Sequence, residues 1–229
     1  MISIIIPTYN ERKNIGRLIK KIFQISREKK LKFEVIVVDD NSKDGTQRVV
    51  SSLSKTYRVK LLKRPKKMGV SSAVFDGFKM AKGNIVGVMD ADFSHPPEKI
   101  PELVKALKSS DLVIGSRYVR GGKVKDRSFI RSIISLVAVL IARSFFRLKV
   151  KDPISGFFFL KRKLVEGIKP QSKGFKIILE ILVKNKDKKI KEIPFVSIER
   201  RRGKSKFGFQ EIIYYLVTVL KLKLSNWCF

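Results

Sequence analysis

Short runs of branched apolar residues alternate along the chain with segments whose apolar positions recur every three or four residues. Ile2 to Ile6 reads as a strand, and Glu11 to Arg27 as a helix with Ile15, Leu18, Ile19 and Ile22 on one face. The alternation then repeats. Strands are expected at Glu34 to Val38, Arg58 to Leu62, Ile85 to Met89 and Leu112 to Gly115, separated by helices at about Lys43 to Lys55, Val70 to Ala81 and Pro97 to Leu107. Strands that are apolar on both faces and separated by helices predict an α/β fold with a parallel or mostly parallel central sheet flanked by helices. Ligands of such sheets gather at the carboxyl ends of the strands. Here those ends carry Pro7-Thr8-Tyr9-Asn10, Asp39-Asp40-Asn41-Ser42, Asp90-Ala91-Asp92 and Ser116-Arg117.

After about residue 122 the pattern changes. Arg127 to Phe146 reads as a helix apolar around most of its circumference, with arginines at 127, 131, 143 and 147. Lys151 to Leu160 holds a glycine-interrupted strand, Gly174 to Lys184 a short helix, and Lys191 to Ile198 an edge strand broken by Pro194. A basic loop, Arg200 to Lys206, precedes a second apolar helix from Phe209 to Leu222. No repeat and no long linker divides the chain, so one domain over 1–229 is expected, with halves at 1–122 and 123–229. At 229 residues it can bury a core without disulfide or metal.

Charge adds a constraint. Fifty-one Lys and Arg against twenty Asp and Glu give a formal +31. Nucleic acid, an anionic membrane surface or a phosphorylated substrate would each suit that excess, but it is spread along the whole chain, as a solvated basic surface would be. The single cysteine, Cys228, excludes an intrachain disulfide and a cysteine zinc cluster. Met1 to Pro7 has no basic leader, so no secretory signal is expected. The uncharged run Ser132 to Ala142, closed by Arg131 and Arg143, falls short of the roughly 20 residues of a membrane span. The expectation is a soluble protein, or one bound to one face of a membrane.

The chemistry is concentrated in Asp90-Ala91-Asp92. Carboxylates two residues apart in extended chain point the same way, and their repulsion is relieved by a cation between them. A hard divalent ion, Mg²⁺ or Mn²⁺, shared with diphosphate oxygens meets that demand. The same spacing also fits a capping and turn cluster before the helix at Pro97. Ser94 or His95 could add a ligand or a supporting hydrogen bond, although a lone histidine is more often structural. Asp39 and Asp40 leave the second strand where ribose hydroxyls or a base edge would be received, while Ser42 or Asn41 also suits a helix cap and Asp44-Gly45 a turn. Neither a G-x-G-x-x-G after the first strand nor a P-loop is present, which weakens dinucleotide oxidoreductase and NTPase readings.

Pro7-Thr8-Tyr9-Asn10-Glu11, Asp39-Asp40-Asn41-Ser42-x-Asp44-Gly45-Thr46 and Asp90-Ala91-Asp92 resemble the sugar-nucleotide half of family 2 glycosyltransferases of the GT-A fold. The match continues through His95-Pro96-Pro97-Glu98, Gly115-Ser116-Arg117-Tyr118, Gly121-Gly122, Ser155-Gly156-Phe157, Gly174-Phe175-Lys176, Glu180 and Arg202-Gly203-x-Ser205-Lys206. The whole set, from residue 2 to about 222, is similar to the polyprenyl (dolichol) phosphate mannosyltransferases. The resemblance implies a Rossmann-like GT-A fold and an inverting transfer of mannose from GDP-mannose to a membrane polyprenyl or dolichyl phosphate. It implies a nucleotide pocket of Pro7, Tyr9, Glu11, Asp39, Asp40 and Gly69, with Lys204, Ser205 and Lys206 closing over the diphosphate. Asp90 would face sugar and diphosphate, and Asp92 would hold the metal with Asp90 and Ser94. The family usually has Gln where this chain has Ser94, which leaves the donor sugar and preferred ion open.

Arg117, Arg131 and Arg202 match positions that clasp the acceptor phosphate. A phosphomonoester is already mostly dianionic near neutral pH, so it needs no general base. The two apolar helices are expected to lie amphipathically in the headgroup plane of an anionic membrane, with Phe129, Phe145, Phe146, Tyr214, Tyr215 and Trp227 as interfacial anchors. With the chain ending at Phe229, attachment is expected to be peripheral, at the cytoplasmic face, or to need an anchoring partner or self-association. The alternatives are a glucosyl- or N-acetylhexosaminyltransferase using a UDP-sugar, or a non-enzymatic nucleic-acid-binding or membrane-bound regulatory protein. Specific nucleic-acid binding is not expected, because paired carboxylates at the strand ends would repel a phosphate backbone. Excess lysine leans towards a heat-adapted, archaeal source.

Overall fold

A computed structural model describes residues 1–126, 128–168, 177–198 and 209–225, with side chains from 215 to 224 in the last segment. Its strands are β1 (Ile2–Thr8), β2 (Phe33–Asp39), β3 (Val59–Lys63), β4 (Ile85–Val88), β5 (Leu112–Ser116), β6 (Lys123–Lys125), β7 (Phe158–Lys161), β8 (Ile190–Pro194) and β9 (Val196–Ile198). Its helices are α1 (Arg12–Glu28), α2 (Thr46–Leu53), α3 (Val70–Met80), α4 (Ile100–Ala106), α5 (Phe129–Phe146), α6 (Ile177–Lys184) and α7 (Phe209–Ser225). Seven strands form one sheet in the order β3-β2-β1-β4-β7-β5-β8, and β6 pairs with β9 in a separate ribbon. Within the large sheet only β7 is antiparallel to its neighbours.

Burial on both faces explains why these strands read as unbroken apolar runs. Every residue of β2 is buried, and so is every residue of β1 but Pro7. Alternate side chains feed opposite cores. Ile4, Ile6, Val35 and Val37 pack with the stripe of α1 and with Val50, Ile100 and Leu103 of α2 and α4. Ile5, Ile36 and Val38 face the side lined by α3, α5, α6 and α7. The GT-A-like expectation of a mostly parallel sheet between helix layers is met.

The second half departs from the expected strands in an informative way. Residues 151–157 are irregular, and the strand read from Lys151 onward begins only at Phe158. Asp152 and Ser155 turn to polar partners rather than to a ladder, and Pro153 has no N–H to offer one. The chain then enters β7 against the direction of its neighbours. Gly87 of β4 stands opposite Phe159 of β7, and a Cβ at Gly87 would lie 2.1 Å from that ring. Gly115 of β5 makes the same room for Phe157, 2.6 Å from where its Cβ would be. The edge strand expected around Pro194 divides there. β8 closes the large sheet, and β9 crosses to pair with β6, a three-residue strand that carries no apolar run to betray it.

Helix α5 forms where expected, from Phe129 rather than Arg127. Counted through Arg131 and Arg143, its 18 residues are long and apolar enough by length and composition to cross a membrane, which the uncharged run alone is not, and most of the helix is unburied. Of the expected aromatic anchors, Phe129 and Phe145 are exposed, but Phe146 and Tyr215 are buried in the core. Trp227 and the side chain of Tyr214 lie outside the described residues.

At the opposite end of the sheet from the polar strand ends, Glu34 is buried at the start of β2. Burial pushes its carboxyl up, but the Ser3 hydroxyl, the Lys82 amide and the Lys60 ammonium together outweigh burial and hold it below the ordinary 4.5. A carboxyl with a depressed folded-state value adds stability above its unfolded value and loses it as pH falls through the folded one. Glu34→Gln should therefore flatten the loss of stability below about pH 4.5 relative to the parent. Urea unfolding across that range checks it, and two superimposable acid limbs would count against the assignment.

Candidate active site

The loops that follow β1 and β2 grip each other. Asn10 N–H donates to Ser42 Oγ at 2.8 Å, Lys43 N–H to Asn10 Oδ1 at 3.0 Å, Glu11 N–H to Thr46 Oγ1 at 2.8 Å and Arg12 N–H to Asp44 at 2.9 Å. Asn10 and Asn41 take the left-handed backbone, which asparagine tolerates, to turn each strand towards its helix. The P-T-Y-N-E and D-D-N-S-x-D-G-T segments are thus two halves of one clasp.

Asp39, fully buried, accepts from Thr8 Oγ1, Ser42 N–H, Ser42 Oγ and Gln47 Nε2, all within 2.8 Å. Those four bonds use its accepting capacity, so a ribose hydroxyl reaching it must replace one of them. Asp40 beside it accepts from Gly69 N–H at 2.9 Å and Met68 N–H at 3.2 Å. Tyr9 is half-buried with the Lys67 ammonium 4.7 Å from its ring centre, and the buried Glu11 accepts from Asn14. Pro7, Tyr9, Glu11, Asp39, Asp40 and Gly69 therefore share one edge, at the carboxyl ends of β1 and β2 and the start of α3.

One strand over, Asp90 and Asp92 follow β4. The Asp90 carboxylate is about half exposed, and Asp92 Oδ1 accepts from Ser94 N–H at 3.0 Å. Phe93 between them holds φ at +64°, a strained conformation for a bulky residue that the surroundings must enforce. His95 closes the loop that contains Phe93. Its ring is buried, stacks on Phe157 at 5.1 Å and meets Phe195 edge-on. Nδ1 accepts the Asp90 N–H at 2.9 Å, so the proton sits on Nε2, which faces Asp90 Oδ2 at 3.7 Å. Burial, the largest influence, keeps the imidazole below its ordinary value and hence neutral at pH 7. With Nδ1 committed to the Asp90 amide and the proton on Nε2, His95 is placed as a support for Asp90. Gly156 makes this possible: a Cβ there would stand 3.1 Å from His95 Cε1 and 3.8 Å from Asp90 Oδ2.

Because β7 runs antiparallel, the segment leading into it meets the ends of β4 and β5. Ser155 Oγ donates to Gly115 O at 2.6 Å, and Gly115 N–H to Phe157 O at 2.8 Å. From this segment Asp152, wholly buried, takes Arg117 in a fork: Nε to Oδ2 and Nη2 to Oδ1, both 2.8 Å, with the Arg117 backbone N–H on Oδ2 at 3.0 Å. Burial alone would lower the guanidinium's affinity for its proton, but Asp152 more than compensates and raises it. Glu192 of β8 fixes the turn by accepting the N–H groups of Lys151 and Asp152 at 2.7 and 2.9 Å. Asp152 is a site residue that sequence reading missed. The sign that could have found it is an acidic residue three positions before Ser155-Gly156-Phe157, in a stretch read as strand.

Arg131 lies in the first turn of α5, one turn before Ser135, whose hydroxyl receives the Tyr118 phenol at 2.9 Å. That spacing puts Arg131 on the face of α5 turned to the end of β5. Arg202, Lys204, Ser205 and Lys206 lie outside the described residues. Among the described residues no cluster of three Asp, Glu, His or Cys side chains forms a metal cage. Two hard carboxylates beyond the carboxyl end of β4 nevertheless fit Mg²⁺ or Mn²⁺ when diphosphate oxygens supply the remaining ligands.

Sheet order, strand-end clasp and paired carboxylates define a GT-A-like α/β protein. The glycosyl transferase family 2 model matches residues 3–169. A dolichol-phosphate mannosyltransferase of Pyrococcus furiosus is 46% identical over 96% of this chain, which spans 63% of that protein's length. The Saccharomyces cerevisiae protein of the same name is 40% identical, again over 96% of this chain, and is covered over 86% of its own length. The chain belongs to glycosyl transferase family 2, and these relatives within it are dolichol-phosphate mannosyltransferases. Glucosyl-3-phosphoglycerate synthase of Mycobacterium tuberculosis, solved with Mn²⁺, UDP-glucose and phosphoglyceric acid, shares the fold, with a TM-score of 0.72 over 97% of this chain and 79% of that one at 20% identity.

Removing Asp152 would leave the largely buried Arg117 cation unpaired. Asp152→Ala should lower unfolding stability by about 3 kcal/mol in denaturant titration. A loss within error of zero would show that the fork is not what holds Arg117.

Proposed function

We propose that this chain is an inverting glycosyltransferase that moves mannose from GDP-mannose to the phosphate of a membrane polyprenyl or dolichyl phosphate, giving a β-mannosyl phospholipid and GDP. The observation that carries this reading is the meeting of the Asp90–Asp92 pair and Arg117 around one buried support, His95 and Gly156, in a chain whose relatives are 40–46% identical over 96% of its length. The chain is read as one domain, 1–122 receiving the donor and 123–229 the acceptor. The entry of β7 and β8 into the same sheet as β1 to β5 supports that division of labour.

In this mechanism Pro7, Tyr9, Glu11, Asp39, Asp40 and Gly69 seat the guanosine. Asp90 and Asp92, with Ser94 alongside, would hold Mg²⁺ or Mn²⁺. The ion's contribution when bound is to neutralise charge that builds on the leaving diphosphate. His95 keeps Asp90 aimed by gripping its amide. Arg117 has its Nε edge committed to Asp152, so the outer edge of the guanidinium is left to receive the acceptor phosphate, a role that Arg131 and Arg202 share. That phosphate is already an anionic nucleophile and loses no proton to the enzyme. Its single displacement at the anomeric carbon turns an α-linked donor into a β-linked product. Lys204, Ser205 and Lys206 close over the departing diphosphate.

The acceptor's lipid chain is met by α5 and α7. They touch through Tyr215, which donates to Ala138 O, and through Lys223, which reaches Phe145 O. Exposed on them are Phe129, Ile130, Leu136, Leu140, Leu216, Leu220 and Leu224. An apolar surface of this kind beside Arg147 and Lys223 suits an anionic headgroup layer, supporting peripheral attachment at the cytoplasmic face of the membrane.

Radiolabel from GDP-mannose should enter a short-chain polyprenyl phosphate in the presence of Mn²⁺ or Mg²⁺, stop with EDTA, and fall by roughly two orders of magnitude in Asp92→Ala. Transfer from a UDP-sugar instead would change the donor, and transfer from no donor to an accessible lipid would overturn the proposal. In flotation with phosphatidylserine vesicles, the parent should rise with the lipid and the Leu140→Glu, Leu220→Glu double variant should stay behind. Equal flotation of the two would exclude this surface as the contact.

A further inference from the structure

Arg64, the residue after β3, is buried to 5% exposure although nothing apolar about its chemistry calls for it. Nη1 stands 2.8 Å from Asp40 Oδ1, a charge contact rather than a directed hydrogen bond, and donates to Gly69 O at 3.2 Å. Nη2 donates to Ser72 Oγ at 2.6 Å, and Nε lies 3.6 Å from Asp76 Oδ2 on α3. The other oxygen of Asp40 collects the N–H groups of Met68 and Gly69, while Asn41 Nδ2 donates to Pro65 O at 2.8 Å. Residues 64–69 therefore close into a turn around the Asp40 carboxylate, with the guanidinium as its floor.

Gly69 completes the turn at φ +94° and ψ +160°, a region only glycine holds without strain, although nothing lies within 4 Å of where its Cβ would be. The demand there is conformational, not spatial. Pro65 to Met68 form the exposed tip, and from it Lys67 reaches over the Tyr9 ring at 4.7 Å. An apolar side chain could fill the same volume without the cost of desolvating a guanidinium. What it could not do is tie Asp40, the Gly69 carbonyl and α3 to one another.

We propose that Arg64 is a positioning residue for the nucleoside diphosphate of the donor: it holds Asp40 and the Gly69 turn in register, and so keeps Lys67 over Tyr9 at the base end of the pocket. This rests on the reading of the β1 and β2 ends as the donor pocket. Arg64 itself touches no ligand. Its effect passes through Asp40 and the turn, and it stands apart from the acceptor side, where Arg117 follows β5 and Asp152 lies in the segment before β7.

The test is Arg64→Met in the full chain, with GDP and a short-chain polyprenyl phosphate each titrated by calorimetry. Trypsin cleavage after Lys66 and Lys67 is followed alongside by mass spectrometry. The dissociation constant for GDP should rise about tenfold while that for the lipid phosphate stays put, and the two lysines should be cut faster. Arg64→Lys, which keeps the charge but lacks the fork to span three partners, should recover part of the GDP affinity. Should Arg64→Met fail to fold, Arg64→Lys and Ser72→Ala carry the same comparison at smaller amplitude. Unchanged GDP affinity with unchanged cleavage overturns the inference, as does an equal loss for both ligands, which is the mark of general destabilisation. A parent protein that binds no GDP overturns the donor-pocket reading itself, and the two failures are told apart by that control.

Discussion

An antiparallel strand set into a parallel sheet must find room for its side chains, and here glycine makes the room. Phe159 of β7 lies over Gly87 of β4, and Phe157 lies against Gly115 of β5. The His95 ring stacks on Phe157 and rests on Gly156. Rings and glycines together bring the end of β4, with Asp90 and Asp92, to the end of β5, with Arg117. A Cβ at Gly87 or Gly115 would force one of these strands away, and the carboxylates and the arginine would no longer lie at nearby strand ends. The rest of the candidate site is arranged around that contact.

Charge within the site is balanced locally, although the chain as a whole carries +31. Asp40 is matched by Arg64, Asp152 by Arg117 and Glu34 by Lys60. In each case the acidic partner is buried and also accepts backbone N–H groups, so each pair fixes a turn as well as a charge. The unbalanced excess of lysine and arginine is left to the surface. That division fits a protein that handles anionic ligands at a few fixed points and meets an anionic layer with the remainder.

Much of the first half was legible in the sequence. The strands from β1 to β5 fall within two residues of the runs that marked them, because burial on both faces leaves long apolar stretches with polar residues only at their ends. The approach to β7 was not legible in the same way. Ile154 and Phe157 to Phe159 give an apolar count suited to a strand, yet Pro153 and the inward polar contacts of Asp152 and Ser155 keep 151–157 irregular. Asp152 also lies 35 positions from the arginine it holds, and no local pattern could join them. Arg64 was hidden differently, as one of fifty-one basic side chains with nothing in its neighbours to mark it as buried. The helix at Phe129–Phe146 was legible within two residues, but its reach as an apolar segment was not, because its two arginines bounded the uncharged run, whereas a helix can carry arginines whose stems lie along apolar surface.

The position of β7 also sets an order on folding. In the finished sheet β4 and β5 are not neighbours, because Phe158–Lys161 stands between them. As the chain leaves the ribosome, β1 to β4 can pair with one another as soon as they emerge, but the free edge of β4 must wait some seventy residues for its partner. Until then β5 has no partner among the earlier strands. Contacts this distant in sequence are slow to form, and an unpaired apolar edge is open to association with other chains while it waits. The strand that brings the two groups of site residues together is therefore also the piece that joins β5 to the earlier strands, with only β8 left to cover the outer edge.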